Sequence, residues 1–240
     1  MTTAEVSDDD FQEILAQTRH FVRTAVVPRE QEIMADDRVP PDDLREQAKK
    51  MGLFGYAIPP QEWGGLGLNL AQDVELAMEL GYTSLALRSM FGTNNGIAGQ
   101  VLVGYGTDEQ KSAWLEGIAS GDVVASFALT EPGAGSNPPS GCGPRPCGTP
   151  ATGSSTARSV SSPTPPNADL FVVFARSRPA DTKGAGIAVF LVPADTPGCR
   201  GGRQGQEKNG PGGRMDGRRQ LHRCARARQR TGGRHRGRRL

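Results

Sequence analysis

The hydrophobic spacing of this chain changes once, close to Gly121, and this change restricts the possible folds. Before that position, apolar residues recur every three or four positions, which is the spacing of amphipathic helices. After it come short β-branched and aromatic runs that are typical of strands, and the last two are expected to pair as a hairpin. These runs cover residues 123–129, 170–175 and 187–192. We predict an α+β fold, with an all-α helical bundle over residues 1–121 and a separate β domain over residues 122–198.

Capping residues mark the ends of the predicted helices. The acidic residues 8–10 are expected to cap the first helix, and Asn69 is expected to cap the third. Thr107 and Gln110 have the spacing of a capping box at the start of the last helix. A break is expected at residues 92–96, inside a buried helix rich in small residues. The residues expected to face inward from the third helix are Ala71, Val74, Ala77 and Met78.

The charge of the chain is divided unevenly along its length. Residues 199–240 are rich in Arg and Gly and carry a net charge of +12, whereas residues 1–198 carry −10. No basic-apolar leader and no apolar run of membrane-spanning length is found, so a cytoplasmic protein without a membrane span is expected. The four cysteines lack the CxxC or Cys/His spacing of zinc sites, and no metal site is expected.

The segment FALTEPGAGS, at residues 127–136, is the strongest candidate for a binding site. It continues a β-prone run, and Pro132 ends the strand because it has no N–H group to donate. Gly133 and Gly135 let the backbone approach a ligand closely, and successive free N–H groups in such a turn can form an anion cradle. From the residues alone, a simple turn without a ligand stays open as an alternative, since the segment lacks the full dinucleotide fingerprint.

The whole decapeptide resembles the flavin-binding signature of the acyl-CoA dehydrogenase family. Two further segments are similar to the same family: PPQEWGGLG at residues 59–67, and residues 106–122, which begin GTDEQK and end ASGD. The resemblance covers residues 8–137 and resumes at about residues 167–198. It implies an incomplete β-barrel-like domain after the helical bundle, and the family's C-terminal helical bundle is absent from these 240 residues.

Members of this family oxidise a fatty acyl-CoA to the 2-enoyl-CoA, with FAD taking up the β-hydrogen and an electron-transfer acceptor receiving the electrons. The resemblance assigns these residues to FAD binding: Phe127, Ala128, Leu129, Thr130, Gly133, Gly135 and Ser136. Ser136 also matches a family contact to the acyl-CoA substrate. The carboxylate that removes the α-proton comes from the C-terminal bundle, so no catalytic residue is assigned here, and Glu131 is not given that role. The chain as written is therefore expected to be inactive, and the family's homo-oligomer is not assigned to it.

Residues 138–166 and 199–240 depart from the family pattern and contain all four cysteines. The first stretch is rich in Ser, Thr, Pro and Gly without periodicity, which by itself indicates disorder. Back-translation of residues 152–165, read two nucleotides later, can give GFINGTKRFITNAP. Residues 208–227, read one nucleotide later, can give KMGQEGAWTADVNFTDVRVP. Because both strings resemble the family, we interpret the two stretches as frame-shifted, with the first disordered and the second an Arg- and Gly-rich tail.

Two other functions stay open from the sequence. A non-catalytic helical domain could bind a partner through surfaces that the full enzyme would use for its own oligomer. Residues 199–240 could bind nucleic acid, but they lack the interleaved aromatic residues that stack on bases, which ranks this alternative last.

Overall fold

The structure is a computed structural model of the 240-residue chain. It describes residues 6–35, 42–83, 85–129, 154–163, 168–176, 187–196, 199–205 and 216–225. The described α-helices are α1 Asp8–Phe21, α2 Glu30–Ala35, α3 Asp42–Lys50, α4 Pro60–Trp63, α5 Leu70–Leu80, α6 Leu85–Phe91, α7 Gln100–Tyr105 and α8 Asp108–Ser120. A π-helical segment, Val22–Val26, and a 3-10 turn, Val27–Arg29, join α1 to α2. None of the helices in these residues is long and apolar enough to cross a membrane.

The described strands follow the last helix and form two small sheets. They are β1 Ala125–Ala128, β2 Ser154–Pro163, β3 Leu170–Arg176, β4 Ile187–Pro193, β5 Cys199–Gly205 and β6 Asp216–Ala225. One sheet has the order β1-β3-β4, with β1 parallel to β3 and β4 antiparallel to β3. The other has the order β2-β6-β5 and is antiparallel. The predicted α+β class, with an incomplete sheet, is confirmed, and so is the hairpin of β3 with β4.

Helices α5 and α8 begin where the sequence predicts, but the residue that caps α1 is not one of those predicted. Asn69 and Thr107 each form a capping box with the residue three positions on. The cap of α1 is Ser7, whose Oγ accepts a hydrogen bond from the backbone N–H of Asp10 at 3.1 Å. The acidic residues 8–10 instead occupy the first turn, where the helix dipole favours negative charge.

Helix α5 is rotated relative to the prediction from its apolar residues. Val74 and Met78 are 52% and 67% exposed, and the buried residues of the helix are Gln72, Leu76, Glu79 and Leu80. Leu76 and Leu80 pack in the apolar interior, and polar contacts to the N-terminal segment accompany them. Glu79 accepts from the Arg19 guanidinium at 2.7 Å, and the Gln72 side chain donates to the Val6 carbonyl at 3.3 Å. An apolar stripe of α5 therefore faces outward.

The long helix over residues 85–105 widens where a break was expected. Residues Gly92–Gly99 form a π-helical segment between α6 and α7, so the chain stays helical throughout. A π segment places one more residue in each turn, and here it buries both Asn94 and Asn95. The interruption predicted from the glycines is thus a change of helical pitch.

Two apolar clusters build most of the interior. The helical core lies among α1, α3, α5 and α6, with Phe21, Phe54 and Phe91 as its largest members. The second cluster, here named the shared core, joins the helices to the first sheet. Its buried members are Ile58, Ala98, Leu102, Leu115, Ile118, Ala119, Ala125, Leu170 and Val172. The shared core therefore packs helices α7 and α8 against the β1-β3-β4 sheet.

The strands of the second sheet come from residues 138–166 and 199–240, the two stretches that depart from the family pattern. Strand β2 occupies residues 154–163, where disorder was expected, and pairs with β6 through partners such as Ser159 and Arg219. Its ladder is irregular, with two register shifts along its length. Backbone N–H and C=O groups can pair in such a ladder whatever side chains they carry, which explains a strand without an apolar pattern.

Candidate functional site

The candidate flavin-binding segment begins on strand β1 at the edge of the first sheet. Ala125–Ala128 run parallel to β3, with Ala125 beside Leu170 and Ala128 beside Val173. The preceding helix α8 ends at Ser120, and Gly121 adopts the left-handed conformation with φ of 79° that reverses the chain direction. Helix and strand are therefore joined where the sequence changes its period, by a tight turn.

The two faces of β1 meet different parts of the molecule. Ala125 and Phe127 point toward the helices, and the Phe127 ring packs on Phe174 with centroids 4.7 Å apart. Ala128 is buried in a small cluster with Phe171 on the opposite face. This alternation is the normal pleat of a strand, and it fixes β1 between two apolar layers.

Two polar side chains hold the first residues of β1. Asn94, from the π segment, accepts from the Ala125 N–H at 2.6 Å and donates to the Ile118 carbonyl at 2.9 Å. Asp169 accepts from the Val124 N–H at 2.8 Å through its carboxylate. Sequence reasoning missed both residues. The one signal for Asn94 was an Asn pair within an otherwise small and apolar helix, which is an unusual place for buried amides.

The structure describes three of the seven predicted cofactor-binding residues. Phe127 and Leu129 are partly exposed and Ala128 is buried, and all three lie at or next to the end of β1. The others, Thr130, Gly133, Gly135 and Ser136, lie outside the described residues. Their assignment stays a prediction.

The loop PPQEWGGLG folds back on the helical bundle as a short helix and a turn. Trp63 ends α4, packs partly against the shared core and donates from Nε1 to the Glu62 carboxylate at 3.1 Å. The next residue, Gly64, has a positive φ of 70° that turns the chain. Trp63 thus holds this surface loop against the shared core.

Charged groups tie the turn before β1 to helix α3. Lys49 Nζ lies 3.0 Å from the Asp122 carboxylate, and the Arg45 guanidinium donates to the Gly121 carbonyl. Hydrogen bonds from Lys49 and from Ser120 lower the pKa of the Asp122 carboxyl below 3.8. The same pairing, with Glu46 assisting, raises the pKa of Lys49 above 10.5. Within the described residues, no three His, Cys, Asp or Glu side chains are grouped as metal ligands.

The Lys49–Asp122 pair predicts a pH-dependent contribution to stability. Because folding lowers the pKa of Asp122, its contribution is present above the ordinary aspartate pKa and is lost as pH falls through the lowered value. The pKa of Lys49 is raised, so its contribution persists until pH rises beyond 10.5.

We expect the wild-type chain to unfold at higher urea concentration than Asp122→Asn at pH 7, with the difference disappearing in acid near pH 2. The exposed Asp195→Asn serves as the control for a general change in net charge. A wild-type advantage that persists unchanged in acid would contradict this assignment.

The described part of the chain is a helical domain whose last helix is followed by an edge strand of a small sheet, and known proteins share this arrangement. Residues 8–122 match the family model described as acyl-CoA dehydrogenase, N-terminal domain. The helical part of this chain is therefore similar to the N-terminal domain of acyl-CoA dehydrogenases, which confirms the resemblance seen in the sequence.

Individual proteins agree with the family model. The chain is 35% identical over 130 residues to (2S)-methylsuccinyl-CoA dehydrogenase of Cereibacter sphaeroides, covering 54% of this chain and 23% of the relative. It is 34% identical over 140 residues to a probable acyl-CoA dehydrogenase of Bacillus subtilis, with 57% and 23% covered. A glutaryl-CoA dehydrogenase of Mycobacterium smegmatis in complex with FADH2 superposes with a TM-score of 0.77 at 27% identity, covering 91% of this chain and 54% of the other. The chain thus spans less than a quarter of the curated relatives' length.

Proposed function

We propose that this chain is the flavin- and substrate-binding portion of an enzyme that oxidises an acyl-CoA thioester to the 2-enoyl-CoA with FAD. One observation carries the proposal: the strand that begins the flavin signature is packed directly on the helical domain that matches the family. Phe127 and Ala125 of β1 lie against the same apolar cluster as helix α8. The start of the signature therefore lies at a buried interface with that domain.

The described part of the signature fits a flavin. Phe127 and Leu129 are partly exposed at the end of β1 and offer apolar surface to a flat ring. By family resemblance, Phe127 to Thr130 would lie along the isoalloxazine, with the Thr130 hydroxyl bonding its polar edge. Gly133 to Ser136 would approach the pyrophosphate, and Ser136 would also contact the acyl-CoA. Bound FAD supplies the acceptor for the hydrogen that leaves the β-carbon of the substrate.

The 240-residue chain alone is proposed to bind without turning over. The family resemblance assigns the base for the α-proton to a carboxylate of the C-terminal bundle, and no carboxylate of the described residues has been assigned that role. We propose no particular acyl group, because relatives are named for methylsuccinyl-CoA and for very long-chain substrates. An electron-transfer acceptor would complete the cycle in the whole enzyme.

The proposal predicts FAD binding that depends on Thr130. Titration of the purified chain with FAD, followed by flavin fluorescence, is expected to saturate. Thr130→Val should weaken binding by about tenfold, because it removes one hydrogen bond while keeping the side-chain shape. Thr24→Val makes the same change on the exposed surface beyond α1 and should leave binding unchanged.

Two results would count against the proposal. A folded chain that does not bind FAD would remove the flavin assignment. Turnover of an acyl-CoA panel by the 240-residue chain, with an artificial electron acceptor, would show that the base lies within these residues after all. Glutaryl-CoA and a long-chain acyl-CoA belong in that panel, since their acyl groups differ in charge and length.

A second candidate function is a helical interaction domain, and the outward face of α5 favours it. Leu70, Val74, Met78 and the neighbouring Tyr82 are between 52% and 78% exposed. Large exposed apolar patches mark protein contacts more often than random surface does. A mass that rises with concentration in the absence of FAD, measured by sedimentation, would support this function over the first.

A further inference from the structure

Asn94 connects three parts of the molecule through one buried amide. It lies in the π segment between α6 and α7 and is 2% exposed. Its Nδ2 donates to the carbonyl of Ile118, in the last turn of α8, and its Oδ1 accepts from the N–H of Ala125, the first residue of β1. These partners are 24 and 31 residues away along the chain. The amide therefore links the long helix, the end of α8 and the start of the signature strand.

The direction of the Ala125 N–H explains why this contact matters. Among the described strands, β1 stands first in the sheet order β1-β3-β4. The Val124 carbonyl accepts from the N–H groups of Asp169 and Leu170, so Val124 faces β3. Successive backbone groups of a strand point to opposite edges, and the Ala125 N–H therefore points away from β3. Asn94 lies on that side and supplies the acceptor.

We propose that Asn94 is a positioning residue for the flavin-binding strand. By fixing the first residue of β1 against α8, it sets the depth and direction of residues 127–129. This inference rests on the proposed function and deepens it, because it names the helical residue that holds the signature in place. Asn94 itself does not contact the cofactor in this proposal.

Only an amide suits this position. An aspartate would place a second acceptor against the Ile118 carbonyl, and an apolar side chain would leave a buried donor and a buried acceptor unpaired. The neighbouring Asn95 offers a matched comparison. It is 0% exposed and lies in the same π segment, but its Oδ1 accepts from the Ala57 N–H at 2.9 Å, within the helical domain.

Hydrogen exchange of the full chain tests the positioning role directly. In Asn94→Ser the backbone amides of residues 123–129 are expected to exchange about tenfold faster than in the wild type, because β1 loses its anchor. In Asn95→Ser the same amides should stay within about twofold of the wild type, while those of residues 55–58 exchange faster. Equal release of residues 123–129 in both variants would overturn the proposal. The pair Asn94→Gln and Asn95→Gln, which keeps the amide but lengthens the side chain, repeats the comparison if either serine variant unfolds.

FAD titration of the same variants separates this inference from the proposed function. Asn94→Ser is expected to bind FAD about tenfold more weakly at equal folded fraction, and Asn95→Ser within about twofold of the wild type. If the wild type binds no FAD but the exchange difference holds, the proposed function fails and Asn94 still positions β1. If FAD binds equally well to all three chains, the positioning role toward the cofactor is refuted.

Discussion

Gly65→Ala is expected to lower the free energy of unfolding by about 3 kcal/mol or more, a large effect for one methyl group. A Cβ at this position would lie 2.0 Å from the Ile58 carbonyl oxygen and 2.5 Å from the Gly55 carbonyl oxygen. Neither oxygen can retreat freely, because each accepts a backbone hydrogen bond. Leu66 donates to Gly55 at 2.9 Å, and Gly67 donates to Ile58 at 2.9 Å. The second glycine of PPQEWGGLG is thus required by close backbone approach.

Gly104→Ala is the matched control for this prediction. A Cβ there would meet nothing within 4 Å, and the residue lies inside helix α7. Alanine is a better helix former than glycine, so the control is expected to stabilise the chain by up to about 1 kcal/mol. Urea unfolding followed by far-UV circular dichroism measures both variants. A Gly65→Ala chain that unfolds within about 1 kcal/mol of the wild type would contradict the packing described here.

Features set by neighbouring residues were predictable from the sequence. The caps of α5 and α8 follow from side chains that bond to backbone three residues away, at Asn69 and Thr107. The pairing of β3 with β4 follows from two apolar runs separated by one loop. In each case the partners are close along the chain, so composition and spacing contain the information.

Features set by distant residues were not predictable in the same way. The buried face of α5 contains Glu79, whose partner Arg19 is 60 residues away along the chain. An apolar pattern alone favoured Val74 and Met78, whereas Leu76 and Leu80 are the large apolar residues that the fold buries. The role of Asn94 likewise depends on backbone groups of Ile118 and Ala125 that only the folded chain brings together. Single-sequence periodicity cannot report such contacts.

The sequence identified the candidate site through its signature segment, but it did not identify the residues around that segment. The residues proposed to approach a flavin form one contiguous segment, which the sequence displays directly at residues 127–136. At the start of β1, Asn94 accepts from the Ala125 N–H and Asp169 accepts from the Val124 N–H. Both side chains are distant from β1 along the chain, so the spacing of residues in the sequence could not indicate them.

Leu170→Ala is expected to lower the free energy of unfolding by about 2–5 kcal/mol. We expect tryptophan fluorescence, which comes from the helices, to report this loss. Leu170 is 0% exposed on β3, where it belongs to the shared core with Leu115 and Ile118 of α8. Removing its side chain leaves a cavity between sheet and helices. Trp63 and Trp114, the two tryptophans of the chain, both pack against this cluster from the helical side. Their fluorescence therefore reports the unfolding of the shared core.

Val189→Ala provides the comparison within the same sheet. Val189 is 41% exposed on β4, and its truncation is expected to change stability by less than about 1 kcal/mol. If the sheet and the helices unfolded independently, Leu170→Ala would leave the tryptophan transition where it is in the wild type. A single transition that shifts to lower urea, seen equally by fluorescence and circular dichroism, requires one cooperative unit. The strand that begins the flavin signature then derives its stability from the helical domain, because the interior that Leu170 fills is the one on which β1 rests.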